Sequence, residues 1–384
     1  MKFKKIVCHI MVIATSILSV LAVAPIILIS AADTIEFLQG DVDGNGQTDL
    51  CDLTFIQKYL KGMMIANQNI ITRMDSTDDK LIDYQDFNRI LDYNLDVYDP
   101  ELVSRKVLSS INDEKRDYYV KNCLTGEIDD YTLELPLSSK KMINISSKSS
   151  TSLNYIKDNE NLNVVKLITS SGDSTGFIIS PHVVATCAHS IYDNNSFDEN
   201  IQISIIDDKD ALSSLGSEIK CKSFKAKYAH IPKLYTDPKN PNIELYDYAL
   251  LYFDDNLELA LNEFDSNIWQ IGYVTDEYIK DSNTIYTSGF VGYENPLFTL
   301  RYYNSGNLNK NYINPYRLEA YAKIRKGNSG GPFYYKNNTN VKSAIGICTH
   351  RDNAYNPTKM LGCRMTPTLA RFYYNNRNLQ GVVK

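Results

Sequence analysis

Cysteine is thin in this chain: seven in 384 residues, at Cys8, Cys51, Cys123, Cys187, Cys221, Cys348 and Cys363. Spread that far apart they form no disulfide scaffold, and only a pair such as Cys348 with Cys363, late in the chain, is positioned to bridge two strands. A surplus of positive charge is also missing. The formal net charge is -6, and the Lys and Arg residues are scattered, so no basic field exists to hold a phosphate backbone and nucleic acid is excluded as a partner. Histidine is scarcer than cysteine, five residues in all, which leaves few candidates for a base near neutral pH. What remains is a chain with 43% hydrophobic residues, enough for two or three domains.

The N-terminus carries Met1, Lys2, Phe3, Lys4 and Lys5, and from Ile6 to Ala32 the only ionisable side chains are Cys8 and His9. A basic start, an apolar run and the small residues Ser30, Ala31 and Ala32 before Asp33 make residues 1–32 a secretory signal peptide cut after Ala32, and the protein secreted and extracellular. The rival reading is an uncleaved membrane anchor, since the apolar run is long enough to span a bilayer.

Two segments then repeat with a period of 34 residues, from Asp41 to Asp75. The first offers Asp41, Asp43, Asn45, Gln47, Asp49 and Asp52, followed by Leu53, Ile56, Tyr59 and Leu60 at helical spacing; the second offers Asp75, Thr77, Asp79, Leu81, Asp83 and Asp86, followed by Phe87, Ile90 and Leu91. Calcium takes about six or seven oxygens, and a twelve-residue loop supplies them at positions 1, 3, 5, 7, 9 and 12. Both segments meet that spacing, with helices expected over about 52–61 and 84–93. Gly46 occupies position 6, where the loop turns sharply, whereas Lys80 stands there in the second loop and weakens it. Two loops in register, each followed by one helix and closed by Asp where ordinary EF-hands have Glu, resemble a dockerin, the module that plugs an enzyme into a cohesin on a cellulosome scaffold. The resemblance covers roughly Gly40 to Leu95, within a module drawn at residues 38–98, and implies two structural Ca2+ ions, a cohesin partner and a cell-surface complex. Leu50, Cys51, Tyr84 and Gln85 depart from the Ser and Thr that dockerins commonly carry at the positions that choose the cohesin, which leaves the type of partner open. A calcium-stabilised cap with no partner is the plainer alternative.

Residues 99–141 are charged and weakly patterned, and read as a linker or propeptide ending near Lys141. From 142 to 384 short β-rich runs alternate with Asn, Asp, Gly and Pro turns, for example Val164 to Ile168, Val183 to Thr186, Ile201 to Ile206 and Ala344 to Cys348. The fold class expected is mostly β, a sandwich or barrel architecture preceded by a small α-helical module.

The β-rich part also holds three stretches that chemistry can use. Hydrolysis through a serine needs a base, a carboxylate to orient it, and donors for the oxyanion. Gly327, Asn328, Ser329, Gly330 and Gly331 form a glycine-lined loop in which the amides of Gly327 and Ser329 can converge on a carbonyl oxygen. His189 ends an apolar strand on a small-residue corner, and Asp247 enters another, where a carboxylate is costly unless hydrogen-bonded. The order His189, Asp247, Ser329 is that of a chymotrypsin-like chain. The surrounding text, Thr175, Gly176 and Phe177 with Ala188 to Asp193, Tyr246 to Ala249, and Gly327 to Pro332, is similar to that of secreted bacterial glutamyl endopeptidases, trypsin-like serine proteases. That resemblance implies two antiparallel β-barrels with the catalytic triad between them, and no cofactor for catalysis. Where some relatives place a disulfide beside the histidine, Ser174 and Ser190 stand here.

Alternatives fail for lack of residues. An α/β-hydrolase elbow would need an acid and a histidine after Ser329, but of the 55 residues that follow only His350 is a histidine. His182 sits in a turn after Pro181 and His230 in a loop before Pro232. Cys187 with His189, and Cys348 with His350, repeat a Cys-x-His spacing without the CxxC frame of a zinc site. By resemblance, Lys323 lies at the base of the primary pocket and His350 one pleat beyond the place where glutamyl endopeptidases keep a histidine, so Glu or Asp before the cut bond is expected. The resulting reading is a secreted, monomeric serine endopeptidase acting on protein or peptide substrates. Its rivals are an inactive protease-like binding domain and a regulatory rather than nutritional protease.

Overall fold

The structure, a computed structural model, describes residues 34–95, 97–109, 116–133, 156–158, 160–207, 220–290, 301–322, 324–336, 342–351 and 358–374. The signal peptide, the cut near Lys141 and Lys323 lie outside the described residues. Among the described residues no helix is long and apolar enough to cross a membrane.

The two acidic segments carry the helices expected of them. Leu50–Leu60 and Tyr84–Asn94 are helices, each opened by a reciprocal cap. The Asp49 carboxylate accepts from the Cys51 amide, and Asp52 accepts from the Asp49 amide; Asp83 and Asp86 repeat the arrangement. A third helix, Gln68–Met74, was not legible in the apolar spacing. The strands Thr34–Leu38 and Leu102–Lys106 pair antiparallel, so the segment is tied together at its two ends.

Two antiparallel sheets form the bulk of the molecule. The first runs, in spatial order, Lys220–Lys225, Gln202–Asp207, Val164–Thr169, Gly172–Ser180, Val183–Thr186, Ala249–Tyr252, Tyr228–Pro232, Arg116–Asn122 and Ile128–Leu133. The second runs Arg317–Ala320, Met360–Arg364, Lys342–Arg351, Pro332–Lys336, Thr284–Phe290, Arg301–Asn307 and Ile156–Lys157. β-Branched residues supply the interiors: Val165, Ile178, Val184, Ile203 and Ile205 fill the first sheet's core, Ile285, Ile324 and Ile345 the second's. A third cluster joins both sheets to the N-terminal helices through Ile56, Tyr59, Tyr273, Tyr118 and Phe372.

Two features were not expected from the sequence. The stretch read as linker or propeptide carries the Arg116–Asn122 and Ile128–Leu133 hairpin, which extends the first sheet beyond Tyr228–Pro232. Tyr118 is fully buried there, stacked on Tyr131 and Phe372, and Arg116 donates to the Tyr248 hydroxyl at 2.8 Å. The sequence hides this because the buried Tyr118, Val120 and Leu133 are separated by charged and polar residues, with Arg116 on the same buried face, and make no apolar run. The second lies beyond what the sequence reading addressed: the N-terminal segment is bonded to the β-sheets. Leu81–Ile82 pairs with Tyr273–Val274, the Tyr273 hydroxyl donates to the helix-end carbonyls of Tyr59 and Leu60, and Ser343 donates to Asp83 at 2.6 Å.

The suggested Cys348–Cys363 bridge is not formed. Cys348 sits opposite Gly362 and Cys363 opposite Ile347, so the two thiols point to opposite faces of the sheet and enter different cores. His230 is likewise no loop residue: it lies in the Tyr228–Pro232 strand, fully buried, with Nδ1 against the Tyr131 hydroxyl at 3.0 Å. Burial alone lowers its pKa to about 3.

Candidate active site

His189 lies in the single turn Ala188–Ser190 that follows the buried strand Val183–Thr186, and Asp247 lies between the turn Ile243–Tyr246 and the strand Ala249–Tyr252. Those two strands are paired, Ala249 against Thr186, which sets the two residues side by side. His189 Nδ1 is 2.7 Å from Asp247 Oδ2, and the His189 backbone amide donates to Oδ1 at 2.9 Å. Burial works against the Asp247 carboxylate, but the ring and amide of His189 outweigh it and hold its pKa below 3.8. Burial also works against a charged His189 ring, yet the Asp247 carboxylate and Cys187 raise its pKa well above 6.5. The ring keeps one side open, its side chain 38% exposed.

Ser329 comes from the loop before the strand Pro332–Lys336. That loop is held to the first sheet through Thr175, whose amide donates to Ser329 O at 2.9 Å and whose hydroxyl donates to Gly327 O at 2.6 Å. Gly330 has φ +85°, and an added Cβ would lie 2.1 Å from Thr175 O, so no side chain fits there. His189, Gly327 and Ser329 line one cleft of about 480 Å3 with Ser174, Ser190, Asp173, Asp193 and Lys326. The Ser329 hydroxyl donates to Thr349 O at 3.0 Å. Among the described residues no acceptor takes the amides of Gly327 or Ser329, which leaves both available as oxyanion donors.

Three side chains here make contacts that the sequence reading did not give. Thr175 fastens the serine loop, Cys187 places its sulfur 3.6 Å from His189 Nε2, and Arg317 donates to His350 Nε2 at 3.2 Å. Strand pairing brings the partners of Thr175 and Arg317 in, whereas Cys187 and His189 stand two residues apart, as the Cys-x-His spacing already had them. His350 also bonds the Thr349 hydroxyl at 2.8 Å, with Glu244 at 3.4 Å; burial and Arg317 lower its pKa. His182 is held away from the cleft, with Nδ1 against the carbonyls of Phe253 and Asp255.

The first acidic loop forms a compact oxygen cluster. Donor atoms of Asp41, Asp43 and Asp52 lie within 4.8 Å of one another. The amides of Gly44 and Gly46 donate to Asp41, those of Val42 and Asp43 to Asp52, and that of Gln47 to the Asn45 side chain. In the second loop Asp75 and Asp79 are pushed up to about 7 and about 6 by burial and by neighbouring carboxylates, and Asp83 and Asp86 are raised by burial as well. Thr77 donates to Asp86, and Leu81 lies in the short strand, its carbonyl being the ligand expected at position 7. Lys80 adopts φ +65° where the first loop has Gly46 at +87°, and turns its ammonium outward to Asp281. Four carboxylates gathered out of water with little cationic compensation are a donor set that fits a hard divalent cation.

The family model for trypsin matches residues 157–363. No curated protein matches the chain. Among solved structures, a Glu endopeptidase in complex with MPD is similar at 17% identity and a TM-score of 0.44, covering 59% of this chain and 97% of its own. The protease Anisep from Arthrobacter nicotinovorans is similar at 14% identity and a TM-score of 0.41, covering 57% and 97%.

Proposed function

The chain belongs to the trypsin family, and from that premise we propose that it is a secreted serine endopeptidase whose nucleophile is Ser329, whose base is His189 and whose orienting acid is Asp247. The observation that carries this reading is the double hydrogen bond between His189 and the buried Asp247 carboxylate, with Ser329 in the same cleft.

In the mechanism that follows, Asp247 keeps the proton of His189 on Nδ1, so that Nε2 is free to accept. The Ser329 hydroxyl leaves Thr349 O, gives its proton to Nε2 and attacks the substrate carbonyl. The amides of Gly327 and Ser329 take the charge that develops on the oxygen, and His189 returns the proton to the leaving amine. Substrate preference is proposed as Glu or Asp before the cut bond. Support comes from the position of His350, one residue from the carbonyl that holds Ser329 and beside Arg317. Lys323 is kept in that proposal by its place in the sequence alone.

The acidic loops are proposed to hold two calcium ions, which would supply structural charge compensation and no catalytic step. Cohesin docking, in a cell-surface complex, is proposed through the first repeat: Leu50 is 71% exposed and Cys51 is exposed, whereas Tyr84 packs against the core shared with the β-sheets.

The inactive-binder reading is favoured by one observation, the Ser329 hydroxyl bonded to Thr349 rather than to His189. Hydrolysis of a fluorogenic peptide panel with Glu, Lys or Phe before the cut decides between them. Cleavage lost in Ser329→Ala supports the peptidase; no cleavage of any peptide supports the binder. Cleavage only after Lys or Phe removes the acidic preference and leaves the peptidase.

A further inference from the structure

The proposed mechanism leaves one nearby group unused. Cys187 sits two residues before the base, with Sγ 3.6 Å from His189 Nε2 and 2.9 Å from Ser190 Oγ. One donor atom each from Cys187, His189 and Asp247 lie within 4.8 Å of one another.

The sulfur–nitrogen distance has a chemical meaning. Zinc binds thiolate sulfur at about 2.3 Å and imidazole nitrogen at about 2.0–2.1 Å, so across a tetrahedral ion the two ligand atoms stand about 3.5–3.6 Å apart. The pair therefore has the separation of two ligands on one zinc ion, with the Cys187 sulfur on the buried side. Asp247 adds the usual outer partner: a metal-bound imidazole whose other N–H is held by a carboxylate is fixed in tautomer and is a stronger ligand. The Nδ1 contact at 2.7 Å supplies that partner. The partly exposed ring opens on the cleft, whose lining includes Asp173 and Asp193 and gives a small cation a route in.

We propose that Cys187 and His189 form a two-ligand site for a soft divalent cation, zinc in the first instance, that reversibly shuts the peptidase. On binding, the Cys187 thiol releases its proton to solvent and its sulfur bonds the cation. The Nε2 lone pair of His189 becomes the second ligand, and water completes the coordination. The base can then no longer take the Ser329 proton. Hard cations such as calcium do not compete for a thiolate–imidazole pair, so the acidic loops and this site select different ions. The regulation rests on the proposed role of His189 as base; the metal site does not.

The test uses the full chain in excess calcium, titrated with zinc and read by peptide hydrolysis, beside Cys187→Ala. Cobalt(II) serves as a spectroscopic probe. Expected, with each protein normalised to its own zinc-free rate, are zinc inhibition of the native chain reversed by a zinc-selective chelator and, in Cys187→Ala, a rise in the inhibitory zinc concentration above the roughly 10-fold that even an outer-partner change costs. A thiolate-to-cobalt charge-transfer band should appear in the near ultraviolet with the native chain and vanish with Cys187→Ala. Equal zinc sensitivity of the two proteins, or an absent band, overturns the site. A band that depends on Cys187 in a chain that cleaves no peptide keeps the site and overturns the peptidase reading instead.

Discussion

His189 holds Asp247 twice, through its ring at 2.7 Å and its own backbone amide at 2.9 Å, one contact to each carboxylate oxygen. The two bonds fix the ring plane as well as its tautomer, because the residue that carries the imidazole also anchors the acid that orients it.

Asp247→Asn tests that relationship. The amide cannot hold the Nδ1 proton in the same way, so kcat should fall by about 10,000-fold with KM little changed. Steady-state kinetics on the best peptide measures it, and a fall of less than tenfold would separate Asp247 from catalysis.

The pH profile follows from the same pair. The folded pKa of His189 is raised above 6.5, so its protonation contributes stability that is complete below 6.5 and is lost as pH rises through the raised value. Catalysis runs the other way, since the base must be neutral. The value of kcat/KM should climb through a limb centred above pH 6.5 while Tm declines over that window. Asp247 is depressed below 3.8; its contribution is present above that value and is lost as pH falls through the lower one. A limb centred below 6.5 contradicts the account.

Calcium removal should loosen the whole molecule, because the second acidic loop is bonded to the β-sheets through Ser343 and Tyr273–Val274. Calcium at about a hundredfold its dissociation constant adds about 2.7 kcal/mol to the folded state. Thermal melts with calcium and with chelator measure the shift, and Asp86→Ala should abolish most of it. Superimposable melts would remove the ions.

Tyr118→Ala should cost about 3–5 kcal/mol, as for other buried aromatic truncations, since the ring is stacked between Tyr131 and Phe372. Denaturant titration reads the loss. The corollary is that any cut near Lys141 leaves residues 116–133 bound to the mature enzyme, and SDS gels of a native-sized species should show both pieces.

The helices at 50–60 and 84–94, the short strands and the His–Asp–Ser order were legible because each rests on local spacing: apolar positions at helical intervals, alternating runs bounded by turns, glycines around a serine. The 116–133 hairpin was not, because the buried Tyr118 and Val120 share their face with Arg116, whose charge breaks the apolar alternation. The contacts of Thr175 with Gly327 and of Arg317 with His350 were equally hidden. Each joins residues brought near by strand pairing or chain reversal, and Lys323, expected at the pocket base, lies outside the described residues.

The most direct test of the central claim is labelling of the full chain with a fluorophosphonate, followed by intact mass and peptide mapping. The account predicts a single adduct on Ser329, absent from Ser329→Ala and strongly slowed in His189→Ala. An unlabelled native protein, or an adduct on another residue, would contradict it.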